Sequence, residues 1–172
     1  ANGEGLPSEE VEREMYHQTK EVLADFGYER YEISNYAKPG YACRHNLGYW
    51  TGIPYIGAGL GAATLFGGVR YHNPTSMEEY EVDAGTEHLP REREVWDRKT
   101  QMEERMFLGL RTARGVEKDA FLRDFGAPVT EVYGPVIKKY AGYGMLEEDE
   151  RHLALTDAGI DVSNLILADF LL

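Results

Sequence analysis

The chain has 172 residues, of which 42% are hydrophobic and 12% aromatic, so it can form one ordinary domain or two small ones. No segment is apolar for long enough to span a bilayer, and the polar, acidic start "ANGEGLPSEE" does not match a signal peptide. The net charge of −12 disfavours nucleic-acid backbones and anionic membrane surfaces, which are bound largely through Lys and Arg.

The first elements in chain order are a helix and a strand. Ser8 followed by Glu9 and Glu10 is typical of a helix start, because it offers an N-cap oxygen and then anions at the positive helix end. Helical spacing then continues to Gly27, which is placed to end the helix. The spaced apolar residues are Val11, Met15, Val22, Leu23 and Phe26. "YERYEIS" at 28–34 predicts a strand, so this region is half of an α/β unit that lacks its preceding strand.

The next segment predicts loops and a hairpin. Residues 35–54 are rich in Gly, Pro and Tyr and predict a loop with short extended pieces. "AATLF" and "VRYHN" flank Gly67 and Gly68, which is a good hairpin signal. "SMEEYEVDA" after Pro74 is a candidate helix. The polar "GTEHLPREREVW" predicts a domain boundary, which divides the chain into residues 1–97, with a net charge of −9, and 98–172, with −3.

The last third has the order of a winged-helix-like domain. Helices are predicted at 99–113, from the stripe of Met102, Met106, Phe107 and Leu110, then in "GVEKDAFLRDFG", and then at 130–140. "GMLEEDERHLALT" predicts a hairpin, and Thr156 caps a final helix that runs to the C-terminus.

The predicted wing carries an unusual charge. Its tip holds four consecutive carboxylates at 147–150, where a DNA-binding wing needs cations, and the third helix adds only Lys138 and Lys139. The sequence therefore disfavours DNA binding. A protein-docking or lid role and a simple solvated turn both remain open.

The glycine-rich "GAGLGAAT" at 57–64 superficially matches a dinucleotide fingerprint, because Gly57, Gly59 and Ala62 satisfy G-x-G-x-x-[G/A]. The surrounding sequence argues against that interpretation. Pro54 interrupts the strand that should precede the fingerprint, and Gly67 follows too closely for a helix of several turns to form after it. Two interpretations remain: a strand packed closely against its neighbours, or a cofactor that rests on bare backbone.

The stretch "CRHNLGYW" at 43–50 concentrates chemically versatile side chains. Cys43 is the single cysteine, which excludes an internal disulfide, fits a reducing cytoplasm and disfavours a zinc or iron–sulfur site within this chain. A neutral imidazole at His45 is a good axial ligand for haem iron, and Tyr49 and Trp50 offer flat apolar area. The alternative is that His45 is a hydrogen-bonded structural residue and that Asn46 satisfies loop backbone groups.

Several of these stretches resemble one family. "YEISNYAKPGYACRHNLGYW", "YIGAGLGAAT" and "GVRYHN" are similar to the closing part of the radical SAM domain of HemW-type proteins. These are haem chaperones often labelled oxygen-independent coproporphyrinogen III oxidase-like. "LTDAGIDVSNLILADFL" resembles the end of their small helical domain. The similarity extends from about residue 7 to residue 172.

The resemblance implies a mixed α+β or α/β fold. Residues 1–97 are expected to be the closing β/α units of a partial radical SAM (β/α) barrel, and 98–172 the winged-helix-like HemN-type C-terminal domain. The first residue is Ala, so we expect the chain to be a C-terminal fragment of a longer protein. The family's CxxxCxxC motif, which holds the [4Fe–4S] cluster, has no match here, so this chain alone is not expected to be an enzyme.

The resemblance also implies site residues. The family's H-N-x-x-Y-W motif, associated with haem binding, maps onto His45, Asn46, Tyr49 and Trp50, with His45 as a ligand of the haem iron. The glycine stretch maps onto the edge of the S-adenosylmethionine pocket, which implies backbone approach by Gly57, Gly59 and Gly61. One departure is Ala63, which stands where relatives commonly carry a His.

The function expected from the resemblance is haem binding and delivery by a cytoplasmic protein, with haem or porphyrin as ligand and a protein as haem acceptor. S-adenosylmethionine and the [4Fe–4S] cluster would belong to the full-length parent. Two alternatives remain: oxidative decarboxylation of coproporphyrinogen III, whose four carboxylates call for a basic pocket, and an acidic winged-helix-like protein-interaction module.

Overall fold

The computed structural model describes residues 5–83, 86 and 91–172. The helices there are α1 Glu9–Asp25, α2 Arg44–Trp50, α3 Met77–Asp83, α4 Arg98–Gly109, α5 Lys118–Phe125, α6 Val129–Gly142, α7 Asp157–Asp161 and α8 Ser163–Ala168. The strands are β1 Glu29–Glu32, β2 Asn35–Ala37, β3 Ala63–Phe66, β4 Val69–His72, β5 Glu92–Val95, β6 Val116–Glu117, β7 Leu146–Glu148 and β8 His152–Leu155. They form three antiparallel sheets with strand orders β1-β2, β3-β4-β5 and β6-β8-β7. Across these ranges, no helix has the length and apolar character needed to cross a membrane.

The predicted first helix is confirmed, together with its two ends. The Ser8 hydroxyl accepts a hydrogen bond from the Val11 amide at 3.4 Å, and Gly27 follows the helix with φ +77°. The apolar side chains at Val11, Met15, Val22 and Phe26 are nevertheless exposed. The helix contacts the rest of the chain through Tyr16, which packs against the core and donates its hydroxyl to the Ile33 carbonyl at 2.6 Å.

The β1-β2 hairpin joins the first half of the chain to the second. The Ile33 amide donates to the Arg111 carbonyl at 3.0 Å, and the Ala113 amide donates to the Tyr31 carbonyl at 3.0 Å. Glu32, between these two bonds, is 1% exposed. The hairpin is therefore hydrogen-bonded to the segment that follows α4.

The prediction that residues 35–54 form a loop with short extended pieces is confirmed at residues 35–37, which are extended, and wrong at residues 44–50, which are helical. Residues 35–37 pair with β1 as strand β2, and residues 44–50 form helix α2. Gly40, with φ +83°, and Gly52, with φ +70°, stand before and after that helix. These glycines therefore lie in the turns on either side of a helix, whereas the composition of the segment predicted one continuous loop.

The predicted hairpin around Gly67 and Gly68 is confirmed. Phe66 pairs with Val69, and both glycines have positive φ, as a two-residue type I′ turn requires. The predicted helix after Pro74 is also present as α3. In the proposed boundary segment at 85–96, residues 92–95 pair with β4 as strand β5, and the boundary itself stays a prediction. Its residues 85 and 87–90 lie outside the described part of the chain.

The last third contains the principal hydrophobic core, in the predicted order of three helices, a hairpin and a terminal helical segment. Several details differ from the prediction. Helix α4 ends at Gly109, four residues before its predicted end, and α8 ends at Ala168, before the C-terminus. Residues Val116 and Glu117 form β6, a third strand of the wing sheet, and the final helix is divided into α7 and α8 at Val162, whose φ is −123°. Among the most deeply buried side chains are Met106, Leu110, Val116, Phe121, Val129, Tyr133, Leu153, Ile166, Leu167 and Phe170. The division of the chain into 1–97 and 98–172 stays our proposal.

Candidate functional site

Helix α2 carries all four residues of the expected haem motif, but it presents them in two pairs. Residues four apart lie on one side of a helix, so His45 lies beside Tyr49, and Asn46 beside Trp50. Since successive residues are about 100° apart, these two pairs face adjacent directions. The four side chains therefore do not form one flat surface.

The first pair begins a row of three rings. The imidazole of His45 meets the ring of Tyr49 edge-on at a centroid distance of 4.8 Å, and Tyr49 meets Tyr55 in the same way at 4.7 Å. Tyr55 is held by two backbone hydrogen bonds to Leu65, both 2.9 Å. His45 is exposed, and within the described ranges no hydrogen bond to its ring is found. An unbonded, exposed imidazole of this kind has a nitrogen available for a ligand.

The second pair, Asn46 and Trp50, contacts other parts of the chain. The guanidinium carbon of Arg111 lies 4.6 Å from the centre of the Trp50 ring, and the Asn46 amide donates to the Tyr31 hydroxyl at 3.3 Å. The Trp50 indole N–H is buried and has no hydrogen-bond partner among the residues that the structure describes. One face of Trp50 is thus already occupied by a cation.

Tyr49 also borders a cavity of about 580 Å³, which we call the sheet–helix cavity. Its floor is one face of the β3-β4-β5 sheet, and α4 forms a wall. The apolar and aromatic side chains around it are Tyr49, Tyr55, Ala63, Leu65, Trp96, Phe107, Leu108 and Leu171. Both the volume and the mainly apolar lining are typical of sites that bind small molecules and cofactors.

The charged residues of the sheet–helix cavity are mostly paired. Arg70 donates to Glu104 at 2.8 Å and stacks on the Trp96 ring at 4.1 Å. Burial raises the pKa of Glu104 above its usual value, although the nearby Arg70 acts in the opposite direction. His72 Nε2 lies 3.7 Å from Glu94 Oε2, which is an ion-pair distance but too long for a hydrogen bond.

Trp50 borders a different cavity of about 690 Å³, next to the segment that follows α4. The cations around it are Arg30, Arg105, Arg114 and Arg123. Three of these four are ion-paired with Asp157 or Asp124, at distances of 2.7 to 3.1 Å. Two aspartates are thus shared among three of these arginines, so the positive charge in this cavity is partly neutralised.

The glycine-rich stretch is closely packed against its own chain. The Gly57 amide donates to the Thr64 hydroxyl at 2.9 Å, and a Cβ at position 57 would overlap the Ala63 carbonyl oxygen. Gly59 and Gly61 have φ values of +112° and +65°, which favour glycine. These contacts agree with the packing interpretation, and a contact between these glycines and S-adenosylmethionine stays a prediction.

A metal site made by the protein alone has no support. In the ranges 5–83, 86 and 91–172, no group of three or more His, Cys, Asp or Glu residues could hold a metal ion. Cys43 is exposed.

Sequence reasoning missed Tyr55, His72 and Trp96, which line the sheet–helix cavity, and Arg111, which stacks on Trp50. A signal existed for one of them. In the predicted strand "VRYH", alternation places Arg70 and His72 on one face, opposite to Tyr71. Arg111 gave no local signal, because its contact with Trp50 joins positions that are 61 residues apart in the sequence.

Comparisons with known proteins agree on one family. Residues 96–162 match the family described as the HemN C-terminal domain. The chain is 37% identical over 167 residues to "Heme chaperone HemW" of Lactococcus lactis and 35% identical over 167 residues to that of Bacillus subtilis. These alignments cover 97% and 96% of this chain but 44% of each relative, so the chain spans less than half of their length.

A solved structure shares the fold. The radical SAM enzyme coproporphyrinogen III oxidase (HemN) from Escherichia coli matches with a TM-score of 0.69 and 16% sequence identity. The match covers 96% of this chain and 42% of that protein. At this level of identity, the similarity shows a shared fold and carries no evidence about substrate.

Proposed function

Because this chain is similar over most of its length to HemW haem chaperones and its residues 96–162 match the HemN C-terminal domain, we propose that it belongs to this family, binds haem and serves in haem delivery as part of a longer protein. Its ligand is haem or a porphyrin, its partner is a protein that accepts the haem, and its compartment is the cytoplasm. S-adenosylmethionine and a [4Fe–4S] cluster are assigned to the longer protein, because this chain has a single cysteine.

The observation that carries the proposal is the row of His45, Tyr49 and Tyr55 beside the sheet–helix cavity. Haem is a flat apolar ring with an iron atom that accepts imidazole nitrogen. The exposed His45 supplies such a nitrogen, and Tyr49 supplies an aromatic wall. Trp50 contributes less contact area than its sequence suggested, since Arg111 covers one of its faces.

Oxidative decarboxylation of coproporphyrinogen III is less well supported by this chain. Four substrate carboxylates call for free cations, and the cavity that holds the most arginines has three of its four paired with aspartates. In the sheet–helix cavity, Arg70 is likewise paired with Glu104. A haem, with fewer carboxylates and a larger apolar surface in proportion, fits these surroundings better.

A haem titration followed by visible absorption tests the proposal. We expect the wild-type chain to give a Soret shift that saturates near one equivalent, and His45→Ala to bind at least about tenfold more weakly. His17→Ala is the matched control, because His17 lies on α1 and pairs with Asp161 at 3.1 Å. A wild-type chain without saturable binding, or equal binding by His45→Ala and wild type, would contradict a haem site at α2.

A further inference from the structure

We propose that the cavity beside Trp50 binds the carboxylate of an organic acid, with Arg114 as the principal contact. We call it the arginine cavity, because the residues around it include Arg30, Arg105, Arg114 and Arg123. A guanidinium group matches the planar geometry of a carboxylate and binds it through parallel hydrogen bonds. This site is separate from the sheet–helix cavity, and the inference does not depend on the haem proposal.

The cations around the arginine cavity outnumber the carboxylates that offset them. Two aspartates are each shared by two cations: Asp157 by Arg30 and Lys20, and Asp124 by Arg105 and Arg123. Arg114 adds a further positive charge. In a chain with a net charge of −12, this is a local concentration of positive charge, and it favours a bound anion.

Arg114 is the arginine of this cavity that is available to a ligand. Its side chain is exposed, and among the residues that the structure describes it forms no ion pair. Within those residues, Glu117 is the acidic residue that lines the cavity, and it is exposed as well. A ligand carboxylate is therefore expected to lie on the Arg114 side, away from Glu117.

The turn that carries Arg114 is fixed on both sides. The Ala113 amide donates to the Tyr31 carbonyl at 3.0 Å, and the Gly115 amide donates to the Thr112 carbonyl at 3.1 Å. Gly115 has φ +76°, and a Cβ there would overlap the backbone of β8. Because the backbone next to Arg114 is already held, a ligand has to order only the side chain, which lowers the entropic cost of binding.

The walls of the arginine cavity also contain hydrogen-bond donors without acceptors. The indole N–H of Trp50 and the Nε–H of Arg30 are buried, and neither has a partner in the described part of the chain. Both residues line the cavity. A wall with more donors than acceptors favours a ligand that accepts hydrogen bonds, as a carboxylate does.

The arginine cavity has room for an apolar body attached to the carboxylate. Its volume is about 690 Å³, and Leu47, Val116 and Ala120 contribute apolar surface beside the ring of Trp50. This size is typical of sites for small organic ligands. Such a carboxylate could come from a free aromatic acid or from a side chain of a porphyrin, and both have the required chemistry.

A calorimetric titration of the chain with naphthoate, and with the neutral analogue naphthalenemethanol, tests the site. We expect saturable binding of naphthoate and much weaker binding of the alcohol, because only naphthoate offers a charge to Arg114. Arg114→Gln should bind naphthoate at least about fivefold more weakly. Arg93→Gln, at an exposed position on β5, is the matched control and should bind naphthoate as the wild type does.

Glu117 provides a test of opposite sign, which also decides if Arg114→Gln does not fold. Glu117 precedes α5, and its side chain makes no capping hydrogen bond, so glutamine should be tolerated there. Removing its negative charge should strengthen naphthoate binding by about twofold or more. Unchanged or weaker binding by Glu117→Gln would contradict the proposed position of the carboxylate.

Haem and its dimethyl ester, in which both carboxylates are blocked, identify the source of the carboxylate. If a porphyrin supplies it, Arg114→Gln should bind haem more weakly but should bind the ester as the wild type does. If a separate acid supplies it, Arg114→Gln should lose affinity for naphthoate alone. Equal affinities of Arg114→Gln and wild type for both naphthoate and haem would overturn the site. A wild-type chain that binds naphthoate but not haem would overturn the proposed function and leave the site intact.

Discussion

Replacing Glu32 by alanine is expected to lower the free energy of unfolding by about 2–4 kcal/mol, although Glu32 belongs to no proposed ligand site. Its side chain is 1% exposed. One carboxylate oxygen accepts hydrogen bonds from the Ser34 amide at 2.5 Å and the Asn35 side chain at 2.8 Å. The other oxygen faces Arg111, 3.8 Å away.

The magnitude follows from these partners. Removing one member of a buried ion pair typically costs about 3–5 kcal/mol, because the remaining charge loses its compensation. Arg111 is 23% exposed and can regain some water, which reduces the cost. Hydrogen bonds to a charged group contribute about 1.5–3 kcal/mol each, but the amide of the exposed Ser34 can be rehydrated. These corrections give the lower range of about 2–4 kcal/mol.

Urea unfolding, followed by far-UV circular dichroism and tryptophan fluorescence, measures the effect. Trp50 is a local reporter, since Arg111 stacks on its ring. Glu29→Ala, an exposed position on the same strand, is the matched control, and Glu32→Gln should lose about half as much because it keeps a hydrogen-bond acceptor. A loss for Glu32→Ala within about 0.5 kcal/mol of the Glu29→Ala value would refute the reasoning.

Two further predictions concern packing. Gly57→Ala should destabilise the chain by more than about 2 kcal/mol in the same urea assay, because its Cβ would overlap backbone atoms of Ala63. The control Gly48→Ala in α2, where the nearest neighbour of the new Cβ is 3.9 Å away, should be neutral or stabilising. Equal effects of the two substitutions would contradict this reasoning. Tyr133→Phe should stabilise by about 1 kcal/mol, since the buried hydroxyl has no partner in the described part of the chain. Burial, and then Glu103, raises the pKa of Tyr133 to about 12. The folded value exceeds the unfolded value of about 10, so wild-type stability should fall as pH rises between them, and this slope should be smaller in Tyr133→Phe; identical slopes would count against the shift.

The elements that sequence predicted correctly are those with short-range causes. The Ser8 cap, the Gly27 stop and the Gly67–Gly68 turn each depend on residues within a few positions of each other. The wing hairpin follows the same rule, because its two strands are close in sequence. Such signals survive in any tertiary context.

The parts that sequence missed depend on distant partners. The sequence of strand β5 is typical of a polar linker, and its strand structure depends on pairing with β4. Strand β6 is only two residues long and depends in the same way on pairing with β8. The exposed apolar side chains of α1 show the converse. Helical spacing predicts that such a face packs against something, but it cannot say whether the partner lies within the chain.

The candidate site illustrates how one wrong element changes a functional interpretation. Treating residues 43–50 as a loop allowed His45, Tyr49 and Trp50 to be placed together around one macrocycle. Once they are on a helix, positions 45 and 49 separate from 46 and 50 by about a quarter of a turn. Substitutions at His45 or Tyr49 should therefore act mainly on haem binding. Substitutions at Asn46 should act mainly on the hydrogen bond to Tyr31, and those at Trp50 on the contact with Arg111, so both should act on stability.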